Sequence, residues 1–352
     1  MFLLQYILLS IYDPTFTAQT QNEDQKQGNP VLPIPGIIWI ICAFSQFMAH
    51  TLDGIDGKQA RRIGMTGPLG ELFDHGIDAW SCSFIAMSVF STIGVNPNPD
   101  RGLTMVDMFV SLWMLQLVFY VAHWEKFVTG VLYLPWTYDL SMIALMLLYL
   151  YVAMFGSRFW TATILTDFNG LSFLMERVTI LNLLRVAFLV SSIFSILTSI
   201  YKVFVAFSTG NSSRSLKEII TPWISMILAI FLFALWTFDG PYTQSINVYH
   251  PRSVLLCNGV IFANIVARLI ICQMSHTKPR PVIHPFCLIV LIFFVLDKFL
   301  IHHAYISTIL WPVCSVVLVL GQLHFAWMVI NILARHYNIW AFSTIKRTAS
   351  SC

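Results

Sequence analysis

The chain reads as a series of apolar stretches separated by short polar breaks. Apolar runs recur at Phe2–Tyr12, Ile34–Leu52, Ala79–Val95, Leu103–Ala122, Leu140–Phe155, Leu181–Phe207, Ile219–Phe238, Val254–Met274, Ile283–Leu300 and Ile306–Leu333. Most approach the ~20 residues a helix needs to cross a bilayer. The runs are continuous, not alternating at period two, which argues against a transmembrane barrel. In lipid every backbone polar group must be paired internally, and helices then remain. The pattern predicts an all-α, polytopic integral membrane protein with about ten transmembrane helices.

The first run is anomalous. Only about eleven apolar residues precede Asp13-Pro14, too few to cross. No basic segment precedes it and no small-residue cleavage site follows, so it is a poor signal peptide. The expectation is a truncated first helix, with the chain starting inside it. Leu181–Phe207 is long enough to tilt or to extend into the headgroups. Thr17–Asn29 and Ser208–Leu216 read as loops. Residues 1–333 read as one membrane-embedded domain and 334–352 as a polar, basic, cytosolic tail.

Composition agrees. Hydrophobic residues make up 57% of the 352 and charged residues 11%, about half the charge of a soluble domain. The net charge of +3 comes with no basic stripe, so nucleic acid is not an expected partner. Six of the seven cysteines lie in or beside apolar runs and none forms a CxxC. They read as packing residues, not a zinc site or disulfide framework. Lys58, Arg61, Arg62, Lys126, Arg214, Lys217, Lys278, Arg280, Arg335, Lys346 and Arg347 fall on the side of the segment 53–78, with roughly half as many basic residues opposite, among them Arg101, Arg158, Arg177 and Arg252. By the positive-inside rule that side faces the cytosol, and the sequon at Asn211 would then be unglycosylated.

The informative segment joins the second run to the third. It reads Asp53-Gly-Ile-Asp56-Gly57-Lys58-Gln59-Ala60-Arg61-Arg62, then Gly70-Glu71-Leu72-Phe73-Asp74-His75-Gly76-Ile77-Asp78. Acids at a membrane boundary are costly and usually functional. Asp53 and Asp56 are three apart, Asp74 and Asp78 four apart, so on helices each pair projects from one face. If the two helices meet, four carboxylates converge. They could not all stay ionised unaided. Two hard divalent cations, Mg²⁺ or Mn²⁺, would neutralise them. Such a pair can polarise a phosphoryl group and stabilise the leaving oxygen of an in-line displacement. Gly57, Ala60 and Gly70 leave room for a nucleotide or a facing helix. Solvated charges paired with Lys58, Arg61 and Arg62 would account for a lone aspartate, not for four at these spacings. Clustering at one boundary also disfavours an ion-coupled transporter, whose acids sit near the midplane.

The string Asp56-Gly57-x2-Ala60-Arg61-x8-Gly70-x3-Asp74-x3-Asp78 matches, without a mismatch, the signature of the CDP-alcohol phosphotransferases. Gly57-Lys-Gln-Ala-Arg-Arg, Pro68-Leu-Gly-Glu-Leu-Phe-Asp-His-Gly, and His123-Trp-Glu-Lys with Leu134-Pro-Trp resemble the ethanolaminephosphotransferase branch. The resemblance implies Asp53, Asp56, Asp74 and Asp78 as ligands of two divalent ions, and Asp53, Gly57, Ala60 and Arg61 as nucleotide contacts. It implies transfer of phosphoethanolamine from CDP-ethanolamine to diacylglycerol, giving phosphatidylethanolamine and CMP. It also implies an endoplasmic reticulum or Golgi membrane and, as often in the family, a homodimer. A choline or dual-specificity enzyme, or an N-terminally truncated inactive homologue, are the alternatives.

The acceptor hydroxyl must lose a proton during attack, to a base within about 3 Å. His75 and Asp78 are the candidates. A metal-bound aspartate is a poor base, while a neutral histidine suits the task, and the resemblance assigns the role to His75. For the headgroup, a primary ammonium prefers carboxylates and a quaternary one an aromatic cage. The stretch after the fourth run offers both in Trp124, Glu125, Trp136, Tyr138 and Asp139. The plainer reading of these residues is an interfacial aromatic belt at the end of a span, with Glu125 as ammonium ligand the functional hypothesis set against it. His50, one turn before Asp53, reads as a structural neighbour. Asn182, Arg185, Asn258, Asn264, Arg268 and Gln273 read as interhelical hydrogen-bonding groups. Two departures from the family stand out. An upstream segment that helps hold the nucleotide is not in this sequence. The chain also ends at Cys352, where some ethanolamine-branch members carry a selenocysteine and a short tail.

Overall fold

A computed structural model describes residues 1–19, 34–64, 66–133, 137–156, 158–165, 178–212, 214–238, 250–279, 284–300 and 304–341. Ten α-helices run through them: α1 Phe2–Tyr12, α2 Gly36–Arg62, α3 Pro68–Ile93, α4 Met105–Thr129, α5 Thr137–Phe155, α6 Ile180–Ser208, α7 Leu216–Phe238, α8 Pro251–Met274, α9 Pro285–Leu300 and α10 Ala304–His336. Eight are long and apolar enough to cross a membrane; α1 and α9 are shorter. The chain is a polytopic, essentially all-α membrane protein. A small antiparallel pair, β1 Thr163–Leu165 with β2 Val178–Thr179, is the only sheet among the described residues.

Hydropathy locates the helices but not their ends. The apolar run stops at Leu52, yet α2 continues to Arg62. Likewise α3 starts at Pro68, ahead of the apolar Ala79. The acidic segment is therefore helical on both sides of a tight connection. Gly64, at φ +66, follows the end of α2, and Gly67 precedes Pro68 at the first turn of α3, the position where a missing N–H costs nothing. Similarly, Trp124 and Glu125 belong to α4, not to a following loop, while Tyr138 and Asp139 open α5. A Thr104–Asp107 capping box starts α4 and left-handed Gly130 ends it.

The bundle is built around α8, the most buried of the eight long helices. It packs against α3, α4, α7, α9 and α10. At Gly259 the approach to α3 is so close that a Cβ would stand 2.5 Å from Ser83 Oγ. Small residues permit this kind of contact, which drives helix association where lipid supplies no hydrophobic push.

α1 is too short to span, about 16 Å at 1.5 Å per residue. It nevertheless packs against both α2 and α3. Leu9 is fully buried, Tyr6 lies 5.2 Å from the Phe84 ring, and Gln5 Nε2 donates to Cys42 O at 2.9 Å. Its end is tied to α8 by Arg252, which donates to the Asp13 carbonyl at 2.9 Å and to Ser91 Oγ. The same guanidinium faces the Asp13 carboxylate at 3.8 Å and covers the Phe16 ring at 4.0 Å. α5 lies on α2, and α6 on α4. Large apolar side chains such as Phe194, Tyr201 and Phe204 are exposed on α6, as suits a surface whose solvent is hydrocarbon.

Candidate active site

Two helices supply the acids. Asp53 and Asp56 sit one turn apart near the end of α2, and Asp74, His75 and Asp78 near the start of α3. The connection turns the chain back on itself, so the two acidic ends meet. Carboxylate oxygens of Asp53, Asp56 and Asp74 lie within 4.8 Å of one another. Ligand atoms of Asp74, His75 and Asp78 do the same, so Asp74 is common to both groups. His75 Nδ1 stands 3.8 Å from Asp74 Oδ2 and 3.9 Å from Asp78 Oδ2. Asp56 is exposed and the other three are half-buried, so the cluster opens outward.

The expected nucleotide contacts share a face of α2. Gly57, Ala60 and Arg61 follow Asp53 at i+4, i+7 and i+8, the repeat of one helical face. A Cβ on Gly57 would meet only Arg61 Nη1, at 3.7 Å, and on Gly54, Gly70 or Gly76 nothing within 4 Å. Neither acidic helix carries bulk at these points.

α4 completes the surroundings. Its His123 and Lys126, at i and i+3, face Glu71 and His75 of α3, at i and i+4. Lys126 Nζ meets Glu71 Oε1 at 2.7 Å. The His123 ring stands edge-on to His75 with centroids 5.0 Å apart. His123 is 3% exposed, and its other face stacks on Phe119 at 4.3 Å. Its Nδ1 lies 3.0 Å from the Phe119 carbonyl. A carbonyl only accepts, so Nδ1 carries the proton and Nε2 presents a lone pair. That Nε2 is buried without a hydrogen-bond partner among the described residues.

Glu125 is not brought to the cluster. Two residues along a helix turn about 200°, so when His123 faces α3, Glu125 faces away. Its carboxylate meets Lys202 of α6, Oε1 to Nζ at 3.1 Å, and that ammonium also covers the Tyr133 ring at 4.1 Å. The expected ammonium is present, but it belongs to the chain. Trp124 donates to Ile219 O of α7 at 2.8 Å. Tyr138 reaches the site from α5, its hydroxyl 3.4 Å from Asp53 Oδ2, while Asp139 lies 3.7 Å from His50 Nε2. Trp136 and Cys352 lie outside the described residues.

His123, Lys126 and Tyr138, read from sequence only as part of a family phrase, a basic residue and a headgroup candidate, stand beside the acid cluster. The i, i+3 spacing of His123 and Lys126 was the available signal, since it separates them from Glu125. Of the other polar groups, Arg185 and Asn264 bond between elements, and Arg268 bonds within its own helix. Arg185 pairs with Asp107 at 3.0 Å, and Asn264 Oδ1 meets both Arg268 Nε and His284 Nε2 at 2.7 Å.

The two groups share Asp74 and together offer four carboxylates and one imidazole, a set dominated by hard oxygen. The carboxylates of such a set suit a hard divalent cation, which Asp53, Asp56, Asp74 and Asp78 could hold.

The family model described as CDP-alcohol phosphatidyltransferase matches residues 34–168, which contain the whole acidic segment. Ethanolaminephosphotransferase 1 of Mus musculus is 33% identical over 343 residues, covering 97% of this chain and 80% of that protein. The chain belongs to the CDP-alcohol phosphatidyltransferase family. Ethanolaminephosphotransferase 1 of Homo sapiens matches equally, at 33% over 346 residues, 97% of this chain and 80% of that protein. Cholinephosphotransferase 1 of Homo sapiens is 30% identical over 246 residues, 68% of this chain and 55% of that protein. As a member of the CDP-alcohol phosphatidyltransferase family, the chain is a membrane-embedded CDP-alcohol phosphotransferase.

Proposed function

We propose that the protein transfers phosphoethanolamine from CDP-ethanolamine to diacylglycerol, giving phosphatidylethanolamine and CMP. The observation that carries this reading is the meeting of the α2 and α3 carboxylates within 4.8 Å, with Asp74 in both groups. The ethanolamine assignment draws support from relatives of that name, which align with 97% of the chain against 68% for the human choline relative. The latter keeps a choline or dual-specificity enzyme as the second reading.

Asp53, Asp56, Asp74 and Asp78 would hold two ions of Mg²⁺ or Mn²⁺. Bound there, the ions supply charge neutralisation for the donor pyrophosphate and its leaving oxygen. The remaining work falls to the chain. Gly57 and Ala60 let the nucleotide approach α2 closely, and Arg61 offers it a cation. Diacylglycerol enters sideways from the bilayer. Its hydroxyl oxygen bonds to the phosphorus that bears ethanolamine as the bond from that phosphorus to CMP breaks. The hydroxyl proton passes to His75, whose Nδ1 lies beside Asp74 and Asp78. The acidic ends of α2 and α3 face the cytosol, in an endoplasmic reticulum or Golgi membrane, and the working unit is a homodimer.

Purified protein in lipid nanodiscs, given diacylglycerol, Mg²⁺ or Mn²⁺ and each CDP-alcohol separately, tests the reading. CMP release with CDP-ethanolamine preferred over CDP-choline is expected. Preference for CDP-choline moves the assignment to the second reading, and release with neither donor overturns both.

A further inference from the structure

Three polar residues on one face of α2, at i, i+4 and i+7, meet the start of α5 in register. Gln46 Nε2 lies 2.9 Å from Met142 Sδ, His50 Nε2 lies 3.7 Å from Asp139 Oδ1, and Asp53 Oδ2 lies 3.4 Å from the Tyr138 hydroxyl. The Tyr138 ring also packs edge-on against His50, centroids 6.0 Å apart. Behind them Gln5 of α1 donates to Gln46 Oε1 at 3.4 Å and to the Cys42 carbonyl. α2 and α5 are thus joined by a polar seam, not by apolar packing alone, and the seam ends on an aspartate of the acid cluster. Polar groups on membrane helices are costly without a partner or a task. The rungs at Gln46 and His50 fix the register of α5, and so the height of Tyr138 beside Asp53.

We propose that Tyr138 is a positioning residue for the cation site. Its hydroxyl donates to Oδ2 of Asp53 and so turns the other carboxylate oxygen toward Asp56 and Asp74, an inference that rests on the metal-dependent reading above. Loss of a partner that orients a ligand from behind typically costs about 10- to 100-fold in affinity for the ion. Tyr138 would act on ion affinity, through Asp53, without touching the reacting atoms.

Mn²⁺ binding to the purified protein, followed by electron paramagnetic resonance of the free ion with no substrate present, tests this. Tyr138→Phe removes one oxygen and keeps the ring. It is expected to weaken Mn²⁺ binding about tenfold. In an Asp53→Asn background the same change is expected to have less than about a twofold effect, because the group it acts through is gone. Unchanged Mn²⁺ affinity in Tyr138→Phe, or an equal loss with and without Asp53, would overturn the proposal while leaving the transferase reading intact. Should Tyr138→Phe not fold, His50→Gln carries the test, since it loosens the tyrosine ring but keeps the hydroxyl. Binding about threefold weaker is expected, and unchanged affinity overturns the role. Wild-type protein that binds no Mn²⁺ would sink both this proposal and the four-aspartate reading.

Discussion

Glu71 and Lys126 join α3 to α4 directly, carboxylate to ammonium at 2.7 Å, one turn ahead of His75. This cation stands at the edge of a site that must accept a polyanionic donor. Both side chains are partly exposed, so the pair itself contributes modestly. Lys126→Met removes a positive charge facing the acids. We expect KM for the CDP-alcohol to rise roughly fivefold, about 1 kcal/mol, with kcat less affected. Steady-state kinetics at saturating Mg²⁺ measures the split.

Asp74 belongs to both acid groups, whereas Asp56 belongs to one. Asp74→Asn should therefore be the more damaging change. Turnover is expected to fall by at least about 10³-fold, some 4 kcal/mol of barrier, and Asp56→Asn by less. CMP release, with Mn²⁺ binding measured alongside, ranks them. Equal losses would mean that Asp74 is not shared. Chelation by EDTA should abolish turnover, and Mg²⁺ or Mn²⁺ should restore it.

His75→Ala is expected to lower kcat by about 10²- to 10⁴-fold, the range for loss of a general base. His123→Phe keeps a ring stacked on Phe119 but deletes the lone pair beside His75. A drop near tenfold in kcat with little change in KM is expected, since the ring is buried and acts through His75. Wild-type rate in His75→Ala would remove the base assignment.

Glu125→Gln should leave the apparent affinity for CDP-ethanolamine within about twofold, because the side chain faces α6. What it should cost is stability. Glu125 is 1% exposed and Lys202 is its ion partner. Loss of the charge leaves Lys202 only the Tyr133 ring, worth about 1 kcal/mol. Thermal melts in detergent and a donor titration separate these outcomes.

Arg252→Met should loosen α1. It would leave the buried Asp13 carboxylate without its cation, still held by the Ala18 N–H at 3.1 Å, and the Asp13 carbonyl without its donor. Breaking one side of a buried pair costs about 3–5 kcal/mol. A lowered melting temperature, with proteolysis near residue 13 on warming, is the expected signature.

The fold was largely legible because lipid admits few solutions to backbone hydrogen bonding. Each helix was located by its apolar run. Helix ends were misjudged at α2, α3 and α4 because hydropathy marks where lipid stops, not where helical hydrogen bonding stops. The aspartate spacing announced a convergent site, since i, i+3 and i, i+4 pairs share a face. Glu125 lies about 200° round α4 from His123, an angle that the spacing already carries and that turns it toward Lys202. Tyr138 could not be assigned, because nothing local in a sequence tells which helix α5 lies on. The short first run read as a truncated span; its packing between α2 and α3 came only with the structure.

At Gly259 the bundle allows no tolerance. A single methyl group there would stand 2.5 Å from Ser83 Oγ and 2.8 Å from its Cβ, so α3 and α8 would have to move apart. α3 is a stiff rod, and Asp78 sits less than two turns from Ser83. The height at which the acids stand is therefore set from outside the site, by the absence of a side chain on a helix that contributes no chemistry. Variation at that residue would register as lost turnover with every reactive group still in the sequence.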